Sequence, residues 1–146
     1  MRSGIKDGST VYLVSCVGGK LPKPTTAKDL YTSAWFKKAR HFVESKSCPW
    51  FLLSAEFGLV SPERIISPYE KTLNTMPISD RRRWAEMVNS QIKVVAPQLA
   101  VAVFLAGQRY RESLVDHLRK RNIVVQIPME GLRIGEQLSW LGNHSG

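Results

Sequence analysis

The chain has 146 residues, 43% hydrophobic and 23% charged, which suits one globular α/β-sized domain with its own core and excludes a low-complexity or disordered chain. Its 21 Lys and Arg against 12 Asp and Glu give a net charge of +9, which favours a polyanionic partner, nucleic acid or nucleotide first among them. Two cysteines, Cys16 and Cys48, are too few for a disulfide framework, and no apolar stretch is long enough to span a bilayer. A reduced, cytoplasmic protein with no membrane partner is therefore expected.

Residues 1–9 are polar, carry two glycines and read as a flexible end of a single domain covering 1–146. An apolar run at 11–16 predicts the first strand, followed by a Gly/Pro-rich loop over 17–26. Residues 27–46 predict a helix, with Leu30, Ala34, Ala39, Phe42 and Val43 at helical spacing and Phe36 off the main stripe. Pro49 ends it, and 50–55 predicts the second strand. Residues 56–77 form a long connection with Pro62, Pro68 and Pro77; its aromatic and aliphatic content argues against disorder, and loops of this length are usually functional.

Ser79 or Asp80 can cap a helix running to about residue 95, with Trp84, Met87, Val88, Gln91 and Val95 along one face. A third strand is expected at 99–106 and a helix at 110–121, with Leu114, Val115 and Leu118 inward. A short fourth strand at 123–127 and a helix at 134–141 close the chain, with Trp140 and Leu141 turned to the core. Continuous apolar strands alternating with helices predict a mostly parallel four-stranded sheet with helices on both faces, a Rossmann-like three-layer α/β fold. In such sheets ligands bind beyond the carboxyl ends of the strands, where this chain places its polar residues.

After the first strand come Ser15, Cys16 and Lys20. A thiol beside a lysine can be a nucleophile and a lysine in a glycine-rich loop can grip phosphate, although the surroundings favour a small buried apolar role for Cys16. Gly18-Gly19-Lys20 lacks the first glycine of a P-loop and no Ser or Thr follows the lysine, so nucleoside-triphosphate hydrolysis is not expected. Asp29, Tyr31 and Ser33 open the predicted first helix, where positions 29 and 33 would share a face. Asp29 there either holds a polar ligand or simply balances the helix dipole.

Ser54-Ala55-Glu56-Phe57-Gly58 is the most site-like segment. Gly58 permits a tight turn, Glu56 is a natural general base or nucleophile, and Phe57 can stack on a planar base; a solvated Glu56 and a core Phe57 are the competing roles. Tyr69 and Glu70 supply a second aromatic–carboxylate pair, and two carboxylates can divide the roles that glycosidic-bond chemistry requires. Gly107 and Tyr110 follow the third strand and can address a base edge. Lys37, Lys38, Arg81, Arg82, Arg83 and Arg109 form basic clusters, each a plausible solvated helix face and together a phosphate-tracking surface. His41, His117 and His144 are scattered and no dinucleotide fingerprint is present, so neither metal nor cofactor is expected.

Taken as a set, Ser15-Cys16…Lys20, Asp29-Leu30-Tyr31-x-Ser33-x-x-Phe36, Leu53-Ser54-Ala55-x-Phe57-Gly58-Leu59, Pro68-Tyr69-x-x-Thr72-Leu73, Ala106-Gly107-x-x-Tyr110 and Gly131-Leu132-x-Ile134-Gly135 resemble a bacterial and phage family known as a domain of unknown function. The resemblance covers roughly residues 11–141. The family is more distantly similar to the peroxide-stress protein YaaA, which implies DNA binding and protection. A weaker similarity, to nucleoside deoxyribosyltransferases, implies glutamate chemistry on a nucleoside, without a recognisable nucleophile motif. The leading expectation is a nucleobase-, nucleotide- or nucleic-acid-directed hydrolase or transferase acting on an N-glycosidic bond, with Glu56 or Glu70 as the carboxylate. The alternatives are a non-catalytic DNA-binding module and a small-molecule sensor.

Overall fold

The first apolar run forms β1 (Thr10–Ser15) in a computed structural model that describes residues 9–16 and 18–145. Of the flexible end expected at 1–9, residues 1–8 lie outside the described residues. Residue 9 is anchored, since the Ser9 carbonyl accepts from the Ala100 and Val101 amides, each at 2.8 Å.

Along the chain follow β2 (Thr25–Thr26), α1 (Ala27–Leu30), α2 (Ala34–Glu44), β3 (Trp50–Ser54), β4 (Gly58–Val60), β5 (Ile65–Ile66), α3 (Ile78–Val95), β6 (Val101–Leu105), α4 (Gln108–Lys120), β7 (Val124–Gln126) and α5 (Ile134–His144). A single 3-10 turn, Leu73–Thr75, precedes α3. No described helix is long and apolar enough to cross a membrane.

The main sheet has five strands in the order β4-β3-β1-β6-β7, rather than the four expected. The parallel strands β3, β1, β6 and β7 match the predicted runs, and β4 adds an antiparallel edge beside β3 through Leu52–Val60, Leu53–Leu59 and Ser54–Gly58. The fifth strand was hidden inside the 56–77 connection because three residues carry no readable period. Gly58 makes this hairpin possible. Its φ is +75°, and a Cβ there would collide with the Gln91 side chain, whose Oε1 accepts from the Leu59 amide at 2.8 Å. In the same connection β5 pairs antiparallel with β2.

Side chains alternate across the sheet into two cores. Leu13, Leu53, Ala102 and Phe104 pack against Trp84, Ala85, Val88 and Ile92 of α3 and Leu114 and Leu118 of α4. Val14, Leu52 and Leu105 pack on the other face against Phe36, Ala39, Phe42 and Val43 of α2 and Leu141 of α5. Helices therefore cover both faces of the sheet, and the sheet between them forms the middle layer.

The helix expected over 27–46 is two helices. Tyr31 is extended, with φ −89° and ψ 133°, and bridges antiparallel to Lys20, so the chain leaves the helix there. Ser33 then caps α2, its Oγ accepting from the Phe36 amide at 3.1 Å. Asp29 and Ser33 thus share no helix face. Ser79 and Asp80 cap nothing either: α3 begins at Ile78 after Pro77, which leaves both inside its first turn. Val95 of α3 is exposed, Met87 is partly exposed with its methyl against Gly58, and Arg81, Ala85 and Asn89 share the buried face with Trp84, Val88 and Ile92.

Candidate functional site

The chain leaves β1 toward β3 on one side, and the next parallel strand, β6, lies on β1's other side. Such a reversal opens a crevice at the carboxyl ends of the strands. A cavity of about 690 Å³ lies there, walled by Cys16, Gly18, Gly19 and Lys20 after β1 and by the strap Pro68–Thr72 that crosses from the β5 side. Gly18, at φ +95°, sets the loop's turn, and Gly19 lies too close to Thr32 to carry a side chain.

Beneath the cavity runs a chain of hydrogen bonds. Ser54, fully buried at the end of β3, accepts from the Glu56 and Phe57 amides at 3.2 and 3.1 Å and donates to the Tyr69 hydroxyl at 2.9 Å. The Tyr69 and Tyr31 hydroxyls are 2.6 Å apart, and the buried Cys16 thiol donates to the Leu53 carbonyl at 3.4 Å. Trp84 Nε1 closes the Ser54 end by donating to the Ser54 carbonyl at 2.9 Å. Each polar group in this chain has a partner, which rigidifies the floor.

Burial is the main cause that pushes both the Cys16 thiol and the Tyr69 phenol up to about 12, and it raises Tyr31 further. At neutral pH the floor is therefore uncharged, and Cys16 is a thiol rather than a thiolate nucleophile. Over it sits Lys20, its Nζ 4.5 Å from the Tyr69 ring centre and 5.7 Å from that of Tyr31. Lys20 donates only a long 3.4 Å bond to the Gly18 carbonyl, and among the described residues it makes no ion pair. An ammonium so placed has donors to spare for an anion.

Glu70 lines this cavity, and with Lys71 and Thr72 it also lines a second groove of about 570 Å³ on the far side of the strap. Glu56, 43% exposed, lies in the second groove only, with Lys71 Nζ 4.0 Å away. The groove's floor is Ala55, Trp84, Met76 and Met87, and Asp80 and Arg83, paired with each other, stand at its rim.

Other residues singled out from the sequence have different surroundings. Ser15 is buried at the last position of β1, outside the cavity wall. Asp29 binds Arg40 at 2.7 Å and accepts from Thr26 at 2.8 Å, which hold its carboxyl below the usual range and tie α1 to α2. Phe57 packs edge-on to Tyr69 and under Arg64 rather than facing the cavity. The buried Tyr110 accepts from the Leu73 amide at 3.3 Å, so it anchors the end of the strap. Gly107 precedes α4 and lines a separate, small cavity of about 150 Å³ with Arg111.

The basic clusters do not converge. Arg81 is buried and spent on Glu112 at 3.1 Å and on the Met76 carbonyl at 2.7 Å. Arg82 and Arg109 are exposed, and Lys37 and Lys38 line shallow surface hollows along α2 with His41. None of the six walls the main cavity. Among the described residues no cluster of His, Cys, Asp or Glu is suited to a metal ion.

Sequence reasoning passed over Lys71 and Thr72, although both sit within a quoted motif, because neither is distinctive by type. It placed Gln91 on the helix face of Trp84 and Val88 without assigning its bond to the Leu59 amide at the Gly58 turn.

The family model of DUF6884, a family of unknown function, matches residues 11–143, and the chain belongs to that family. No curated protein and no solved structure matches it.

Proposed function

We propose that the cavity receives a nucleoside or nucleotide and that Glu70 or Glu56 acts on its N-glycosidic bond. The observation that carries this reading is the convergence of Lys20, Tyr69 and Glu70 on one cavity of about 690 Å³, a volume ordinary for small-molecule sites. Lys20 and the glycine backbone at 18–19 hold the phosphate, and the neutral tyrosine floor keeps the lysine's charge directed at it. The bond between the sugar C1′ and the base nitrogen breaks, its electron pair leaving on the nitrogen, which takes up a proton. The oxygen that joins C1′ comes from water activated by the carboxylate, or first from the carboxylate itself and then from water.

Turnover of a panel of nucleosides, nucleoside monophosphates and oligonucleotides, followed by released base, tests this. Glu70→Gln is expected to lower turnover by about 10²–10⁴-fold while leaving binding in place. Release of no base from any substrate by the wild type would sink the enzyme reading.

The net charge of +9 supports a second reading, a DNA-binding protein without turnover. It predicts duplex affinity that falls steeply with salt and is indifferent to Glu56→Gln and Glu70→Gln.

A further inference from the structure

We infer that the ligand is two-part and straddles the strap, its anionic end beside Lys20 and a flat organic end in the second groove. This rests on the nucleotide reading above and specifies how such a ligand lies. The two hollows, about 690 and 570 Å³, share Glu70, Lys71 and Thr72 as a common wall, so one ligand can touch both. Their linings differ in kind. The first carries Lys20, whose ammonium has no carboxylate partner among the described residues and stands over the Tyr69 ring, its remaining apolar lining being Cys16, Leu21 and two prolines. The second has an apolar floor in Trp84, Met76 and Met87 and the carboxylates of Glu56 and Asp80, which face Lys71 and Arg83 and keep further lone pairs to accept.

A phosphate gains more from the first, where Lys20 has no carboxylate partner among the described residues, than from the second, where Lys71 and Arg83 each face a carboxylate. A flat heterocycle with N–H donors gains from the second, where apolar surface and acceptors lie together. A nucleoside monophosphate has both ends, and a span across the strap leaves its sugar–base bond over the shared wall. Glu70 belongs to that wall and Glu56 does not. The geometry therefore assigns the reacting carboxylate to Glu70 and base recognition to Glu56.

The test is equilibrium binding of adenosine 5′-monophosphate, ribose 5-phosphate and inorganic phosphate to wild type, Lys20→Ala and Thr75→Trp. Thr75 is exposed and lines only the second groove, so the indole fills the groove without entering a core. Adenosine 5′-monophosphate is expected to bind about ten-fold tighter than ribose 5-phosphate, a ratio that corresponds to ~1.4 kcal/mol. Thr75→Trp should erase that advantage and leave ribose 5-phosphate binding unchanged, while Lys20→Ala weakens both. Met87→Trp fills the groove from α3 and should repeat the Thr75→Trp result.

If both groove-filling variants bind the nucleotide like wild type, or if ribose 5-phosphate binds as well as the nucleotide, the straddling ligand is wrong and the nucleotide reading stands. If no phosphate probe shows binding that depends on Lys20, both fall.

Discussion

The cavity edge of the sheet and the basic helix faces are both rich in polar side chains, yet they are built on opposite plans. At the edge, Lys20, Tyr69, Glu70 and Thr72 arrive from two distant segments and meet over one hollow, with a hydrogen-bonded floor beneath. On the helices, Lys37 and Lys38 of α2 stand apart from the arginines of α3 and α4, and Arg81 is consumed by Glu112. The surplus of charge on the helices is dispersed, whereas Lys20, without an ion-pair partner among the described residues, is held above a hydrogen-bonded neutral network. A surface ammonium is cheap to solvate, whereas a network such as Ser54–Tyr69–Tyr31 loses a buried partner with any one change.

The comparison breaks most sharply at Arg81, the basic residue that belongs to the structural side despite its sequence neighbours. Arg81→Met should lower stability by about 1–3 kcal/mol, by stranding Glu112 and the Met76 carbonyl, and leave nucleotide affinity at its wild-type value. Chemical denaturation and a binding isotherm on the same variant check this; a loss of affinity without loss of stability would move Arg81 to the site.

The floor should show itself at alkaline pH. Its thiol and phenols have folded values raised above their ordinary 9.0 and 10.0, to about 12 for Cys16 and Tyr69. Below pH 9 both folded and unfolded chains keep these protons, and the floor's contribution is fully present. As pH rises from there toward 12, the unfolded chain releases protons that the folded one retains, so stability falls by up to about 1.4 kcal/mol per pH unit for each group. Thermal melts between neutral and alkaline pH should show a shallower decline in Cys16→Ala, and an unchanged slope would mean that the thiol does not titrate with unfolding.

The smallest effect belongs to the exposed lysines. Lys37→Ala and Lys38→Ala should each change stability by less than about 0.5 kcal/mol and nucleotide affinity not at all. Salt-dependent duplex binding lost in these variants would instead restore the helix faces as a functional surface.

Much of this architecture was legible before any coordinates. The apolar runs that became β1, β3, β6 and β7 announced a sheet buried on both faces, and the polar residues at their carboxyl ends marked the edge where the cavity lies. These are local signals, written in consecutive residues whose burial follows from strand periodicity. The tertiary structure decided what depends on distant partners. It paired Gly58–Val60 with β3, split the first helix at Tyr31, and brought Tyr31 and Tyr69 together across 38 positions. It also separated Lys20, which has no ion-pair partner among the described residues, from Arg81, which is held by Glu112. A side chain's type is set by its own codon, but whether its charge is paired, buried or offered to a ligand is set by neighbours that only the folded chain supplies.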